Sequence, residues 1–306
     1  GSEMCIRDRA LPLLFNSCLK DDEDKFSKSA TERIEEAVKE AITVLQGAEN
    51  GWRMELYPES ERIYGGYTLF LKFNADNTVV ASSENFAAGK TESSYYSVVA
   101  ESGPVLAFDT NNDIIHFYSS PTTGAELGIG TSNGGLEGDS DFIVMEASAD
   151  FVKLKGRKTN NYAYLYPIEA GVNWKTELQS YQDAAAKMDL IYTRCVVDGV
   201  AYPIDWEMRL NNFSSRVFRI SYTPAPGDDG SVSAGEVVKA PFVFTETGLK
   251  FYSPLTIGNA TVSEMTFKED YYFENEDGSV KIYSPKPVRS NNKLTINPAD
   301  LSLIHI

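Results

Sequence analysis

The chain has 306 residues, 42% of them apolar and 24% charged, a globular composition with enough length for about two domains. Its 28 Lys and Arg against 44 Asp and Glu leave a net charge of −16, which repels phosphate backbones and anionic headgroups, so no nucleic-acid partner is expected. Three cysteines cannot build a disulfide framework, and two histidines without a Cys or His cluster supply too few ligands for zinc or haem, so no cofactor is expected either.

The two ends read as translated oligonucleotide. Residues 301–306, LSLIHI, can be encoded by CTGTCTCTTATACACATC, whose reverse complement lies inside one coding of residues 1–9, GSEMCIRDR. One inverted oligonucleotide accounts for both, and it resembles the transposon mosaic end used to tag sequencing libraries. Both segments are therefore set aside as adapter-derived, as fusion scars are, which implies a chain truncated at each end. The charges set aside, Glu3 and Asp8 against Arg7 and Arg9, cancel, so the acidity belongs to the rest of the chain.

From Ala10 the sequence runs ALPLLFNSC, a short apolar stretch ending in small residues before Cys18. It is much too short to span a bilayer. It resembles the end of a secretory signal with the lipobox of bacterial lipoproteins, in which the Cys18 thiol is acylated and becomes the new N-terminus. Each buried acyl methylene contributes about 0.8 kcal/mol, so an acylated Cys18 would hold the protein on a membrane. Lys20, Asp21, Asp22 and Glu23 follow. Such a charge run is a solvated tether, and beside Cys18 it also resembles the surface-export signal of Bacteroidetes lipoproteins. Residues 10–28 are thus expected to be a truncated signal and acidic tether, placing the protein at the outer membrane, lipid-anchored and exposed at the cell surface.

Ser29-Ala-Thr-Glu32 is a capping box, followed by Ile34, Val38, Ala41, Ile42 and Leu45 at helical spacing and by Gly47 as a stop. From Gly51 to Ile168 apolar residues mostly alternate: Tyr67, Leu69, Leu71 and Phe73; Tyr96 and Val98; Val105 and Ala107; Phe142, Val144 and Glu146. Turn signals at Gly65-Gly66, Ala75-Asp-Asn77, Gly103-Pro104, Asn111-Asn-Asp113 and Gly134-Gly135 make this an antiparallel meander of about six to eight strands. A second amphipathic helix begins near Asn173, with Trp174, Leu178, Tyr181, Ala185 and Met188 on one face. Strand-like runs follow at Val217–Tyr222, Phe242–Thr245, Leu249–Tyr252 and Met265–Phe273, with an exposed loop over Thr223–Glu236.

The expected fold is mainly β, α+β in class: two antiparallel meander or barrel-like units, each preceded by a helix, at residues 29–170 and 171–300. The halves also echo one another. Pro104–Phe108 with Ile115-His-Phe-Tyr-Ser119 can be set against Pro241–Phe244 with Leu249-Lys-Phe-Tyr-Ser253, each read as a hairpin closed by Phe-Tyr-Ser, as in a tandem duplication.

Cys18 with its acidic run, Phe26-Ser-Lys-Ser29, Arg33, Gly51-Trp52, Gly65-Gly66-Tyr67, Ser94-Tyr95, Gly103–Asp109, Ile115-His116 and Gly138-Asp139 occur in an order that resembles a family of Bacteroidetes lipoproteins catalogued only as a domain of unknown function. That resemblance implies a genomic setting beside outer-membrane uptake receptors of the SusC and SusD kind and HmuY-like lipoproteins. It implies no catalytic residues.

His116 stands in an alternating run, opposite in phase to Ile115 and Phe117, and reads as a strand residue on the outer face. No HExxH, GxSxG or phosphate loop occurs. Asp109, Asn111 and Asp113 have the alternate spacing that opens a Ca²⁺ loop, as do Glu137, Asp139 and Asp141, but Ile114 and Ser120 stand where the first would need Gly and an acid, and polar turns have the same spacing. Trp52, Trp174, Trp206 and the tyrosines serve either as core or as ligand platforms. Tyr95-Tyr96 must place one ring outward, and Cys195 reads as a buried, inert thiol. The candidate ligand-binding residues are Tyr95, Tyr96, His116 and Trp52.

The expectation is a non-enzymatic, lipid-anchored accessory protein that captures a glycan, peptide or haem-like ligand beside a TonB-dependent uptake system, with outer-membrane receptor components as partners. The alternative is a surface structural or adhesive protein that binds another protein. A carboxylate-based hydrolase is the third reading. An aromatic-lined cleft favours the first, a flat apolar patch the second, and two carboxyls about 5 to 9 Å apart the third.

Overall fold

The computed structural model describes residues 29–123, 130–131, 133–188, 194–206, 216–222, 235–269, 272–283, 287–290 and 293–296. Cys18 and Lys20–Glu23 lie outside them, as do most of the 223–236 loop and the side chain of Trp206. Among the described residues no helix is long and apolar enough to cross a membrane.

Helix α1 (Ala30–Gly47) starts at the capping box: Ser29 Oγ accepts from Glu32 N at 3.2 Å, and Ser29 N donates back to the Glu32 carboxylate at 2.8 Å. Eight strands follow: β1 (Trp52–Leu56), β2 (Tyr67–Phe73), β3 (Thr78–Ser83), β4 (Glu92–Ala100), β5 (Pro104–Phe108), β6 (Asp141–Ala147), β7 (Val152–Gly156) and β8 (Tyr162–Pro167). Each pairs antiparallel with the next, and β8 returns to β1 (Trp52 opposite Pro167), closing an up-and-down barrel. Helix α2 (Trp174–Met188) leads to β9 (Arg194–Val197), β10 (Val200–Trp206), β11 (Val217–Tyr222), β12 (Glu236–Phe244), β13 (Gly248–Ile257), β14 (Ala260–Lys268), β15 (Tyr272–Glu274) and β16 (Val280–Tyr283), a second closed barrel in which β16 pairs with β9. Strands β17 (Pro287–Ser290) and β18 (Lys293–Ile296) form a separate hairpin.

The expected class is right, and closure goes further than the sequence reading did. Neither barrel is hollow. Trp52, Met54, Leu69, Leu71, Phe73, Tyr96, Leu106, Phe108, Leu154 and Leu165 pack the first interior, which Ala41 and Leu45 of α1 join from one side and Ile114, Ile115, Tyr118 and Leu136 of the β5–β6 connection from elsewhere in the chain. The Trp52 indole N–H donates to the Leu45 carbonyl at 2.8 Å, tying helix to barrel. Phe218, Phe242, Phe251, Phe273 and Ile282 fill the second barrel around Cys195, whose thiol pKa burial pushes up to about 12, so it stays an unreactive thiol at physiological pH.

Three readings are corrected. Residues 115–119 are not a strand: His116–Tyr118 form a single 3₁₀ turn that buries Tyr118 in the first barrel's core. The hairpin echo therefore fails, since Phe251-Tyr-Ser253 lies in strand β13, the fifth strand of its barrel, whereas Phe117-Tyr-Ser119 lies outside any strand. The repeat is one of topology, not of that motif. In β5 the inward residues are Leu106 and Phe108 rather than Val105 and Ala107.

The barrels meet at Gly65-Gly66. Gly66 N donates to Phe242 O at 3.0 Å, and Arg216 N to Tyr64 O at 3.1 Å. A Cβ on Gly66 would lie 2.5 Å from both Tyr57 Cε1 and Val243 Cγ1, and one on Gly65, where φ is +71°, 2.3 Å from Arg216 O. Only glycine permits that approach. Gly66→Ala is expected to cost about 1 to 3 kcal/mol as the barrels are pushed apart, measured by urea unfolding, and an unchanged midpoint would mean that the barrels do not need this contact.

Candidate functional site

Where β1 and β8 of the first barrel face β13 of the second, a cleft of about 200 Å³ opens, lined by Glu55, Tyr57, Tyr164, Tyr166, Lys250, Phe251, Tyr252, Pro254 and Ser263. Strand periodicity positions the first set. On β8, Ala163 and Leu165 point into the barrel, so Tyr162, Tyr164 and Tyr166 point out, each half-buried. On β1, Met54 and Leu56 point in, and Glu55 points out.

A bulge positions the second set. In the β13–β14 pair, Lys250 faces Glu264 but Leu255 faces Val262, so four residues of β13 stand against Ser263 alone. Surplus residues bend a strand outward and re-aim its side chains, and Pro254 is tolerated where no ladder bond is required of it. The Tyr252 ring meets Tyr57 edge to face, with centroids 4.7 Å apart, and its hydroxyl accepts from Tyr162 N at 3.0 Å.

The charges in the cleft are paired. Lys250 Nζ donates to both Glu55 oxygens, at 3.0 and 2.9 Å, and to the Tyr166 hydroxyl at 3.0 Å. Burial lowers the Lys250 pKa, but the Glu55 charge and these bonds outweigh it and leave a net rise, so Lys250 is a firm cation and not an amine nucleophile. Tyr57 is different. Its hydroxyl is buried with no hydrogen-bond partner among the described residues, and burial holds its pKa well above the usual tyrosine value, so it is neutral and free to donate.

A second buried ion pair lies in the same interface. Arg216 grips the Glu84 carboxylate with Nη1 to Oε1 at 2.7 Å and Nη2 to Oε2 at 3.3 Å, and donates to Gly66 O at 2.9 Å. Its guanidinium lies 4.5 Å from the Tyr67 ring centroid and 4.8 Å from that of Phe244. Glu84 also accepts from Thr68 N at 2.7 Å. This cluster is nearly closed to solvent and docks the barrels.

The residues singled out from sequence do not converge. Trp52 and Tyr96 are interior residues of the first barrel, and the Tyr96 hydroxyl takes a hydrogen bond from Gln46 of α1. Tyr95 is 57% exposed on the outer wall. His116 Nδ1 stands 3.1 Å from both the backbone N and the carbonyl O of Asn112, so the ring braces its own turn. Asp109 accepts from Ser97 Oγ, and Asn111 donates to Asp113. Asp139 is a buried turn cap, accepting from Lys158 N, Thr159 N and Thr159 Oγ1. Among the described residues no three His, Cys, Asp or Glu side chains come together as a metal site. The cleft tyrosines were missed because Tyr162, Tyr164 and Tyr166 alternate just as a core face does. The only available signal was that Ala163 and Leu165 alternate equally well between them.

Elsewhere, desolvation and the neighbouring Glu246 carboxyl of the β12–β13 turn together raise the pKa of Glu177 of α2. A carboxyl whose folded pKa is raised contributes most below the free-glutamate value of 4.5 and loses stability as pH rises through its folded value. Glu177→Gln is therefore expected to raise the melting temperature at pH 7, by the equivalent of no more than about 1 kcal/mol for so solvated a pair, and to leave it unchanged at pH 4. An equal gain at both pH values would show that the two carboxyls do not repel.

No curated protein and no solved structure matches the chain. The resemblance read from sequence was to a domain of unknown function, and the family comparison agrees: over residues 22–269 the chain matches, and so belongs to, the family described as Domain of unknown function (DUF4302).

Proposed function

We propose that this chain is a lipid-anchored accessory protein of the outer membrane, displayed at the cell surface, which captures a nutrient ligand without transforming it and works beside a TonB-dependent uptake system. The observation that carries the reading is the concave, tyrosine-lined cleft between the barrels, with a buried Tyr57 hydroxyl that lacks a partner among the described residues. Sites of this kind, aromatic with a few placed polar groups, are the usual form of a small-molecule pocket. Cys18 and the Lys20–Glu23 run support the address.

Binding is tested by thermal shift of the full chain carrying Cys18→Ala against glycans, peptides, haem and Ca²⁺. A ligand at a hundred times its Kd adds about 2.7 kcal/mol to stability. Silence across the panel would move the reading to its alternative, a surface protein that binds another protein, which is favoured by Tyr95, Val99 and Met145 exposed on β4 and β6. The address has its own test: the Cys18→Ala chain should leave the membrane fraction, and continued membrane association would rule out the lipid anchor.

A further inference from the structure

The ligand class follows from what the cleft has left to offer, given the capture reading on which this inference rests. An ammonium has three donors, and all three of Lys250's are engaged, two with Glu55 and one with Tyr166. An anion entering the cleft finds no free N–H on Lys250 and approaches a chain of net charge −16. A cation meets like charges already seated on two of the rings. Lys250 Nζ lies 4.6 Å and Arg53 Cζ 5.2 Å from the Tyr166 centroid, and Arg62 Cζ lies 4.6 Å from that of Tyr252.

On the residues that line the cleft what remains is uncharged, aromatic surface and hydroxyl groups, while Arg53 Nε, buried without a partner among the described residues, lies outside that lining. The Tyr57 hydroxyl wants a partner, since a buried hydroxyl left unpaired is destabilising. At about 200 Å³ the space is smaller than the roughly 300 to 1,000 Å³ that encloses a drug-sized ligand, so it takes one ring and not a porphyrin. In the cleft wall the rings of Tyr164 and Tyr166 lie nearly parallel, 19° apart in plane with centroids 6.5 Å apart, while beyond them Lys153 Nζ covers the Tyr162 ring at 4.2 Å from its centroid.

The geometry points to the terminal ring of an uncharged oligosaccharide as the occupant of the cleft, its C–H face against Tyr164 and a hydroxyl on Tyr57.

The experiment is calorimetry of the full Cys18→Ala chain with maltohexaose, cellohexaose, mannohexaose and xylohexaose, with hexagalacturonate, haemin and a tryptic casein digest as contrasts. At least one neutral hexaose is expected to bind and the contrasts to fail. Tyr164→Ala should weaken that binding tenfold or more. Tyr57→Phe should weaken it about two- to tenfold, the worth of one hydrogen bond, while raising the melting temperature, because the orphaned hydroxyl is gone. A purely structural Tyr57 would not move the two quantities in opposite directions. Tyr164-dependent binding of hexagalacturonate, haemin or peptide, with no neutral sugar bound, overturns the sugar assignment and leaves capture standing. No binding by any probe, or binding indifferent to Tyr164→Ala, overturns both.

Discussion

Glu84→Gln is expected to cost about 3 to 5 kcal/mol, because it leaves the Arg216 guanidinium buried and uncompensated. Both side chains of the pair are nearly sealed, at 9% and 1% exposure, so water cannot replace the lost charge. The amide keeps an oxygen for Thr68 N, which confines the change to the charge. The loss falls on the contact between the barrels rather than on either core. Urea unfolding followed by tryptophan fluorescence should therefore split into two transitions, one for each barrel, where the parent shows one. Converting Arg216 to Met in the same chain should recover much of the loss, since well-packed apolar pairs often equal a buried ion pair. A single transition at the parent midpoint would show that the pair does not couple the barrels.

Trp52→Ala is the other large loss, about 3 to 5 kcal/mol for removing a buried aromatic side chain. Trp52 is 1% exposed at the first position of β1, against the interior and beneath α1. Its removal opens a cavity and also orphans the Leu45 carbonyl that the indole N–H satisfies. Trp52→Phe, which keeps the ring but drops the donor, should cost less and should expose mainly the last turns of α1 to amide exchange. Equal protection of α1 in the parent and in Trp52→Phe would place the helix's attachment elsewhere.

The parts of this fold that are legible in sequence are those written locally. The Ser29–Glu32 box marks the start of α1, and Tyr67, Leu69, Leu71 and Phe73 declare a strand with one buried face. Period alone misleads when the run is short: Ile115-His-Phe-Tyr alternates for too few residues to separate a strand from one helical turn, and burial of Tyr118 chose the turn. The cleft was not legible at all. Glu55 and Lys250, or Glu84 and Arg216, are brought together across the docking of two separate barrels, and nothing near either partner in sequence indicates the other.

Barrel closure has a kinetic consequence. In the first barrel the closing ladder joins Trp52–Glu55 to Tyr164–Pro167, and in the second it joins Arg194–Val197 to Val280–Tyr283. Ladders between such distant segments form late and slowly, because the whole intervening chain must be gathered before the last pair is rewarded. Once closed, neither barrel offers a free strand edge to a neighbour, but during the interval before closure both terminal strands of the growing sheet do. A chain delivered from its N-terminus presents the edges of β1 to every other copy until residues 164–167 arrive. The hazard to this protein is thus greatest during its synthesis, and a chaperone that shields β1 over that interval would raise its yield without altering its final stability.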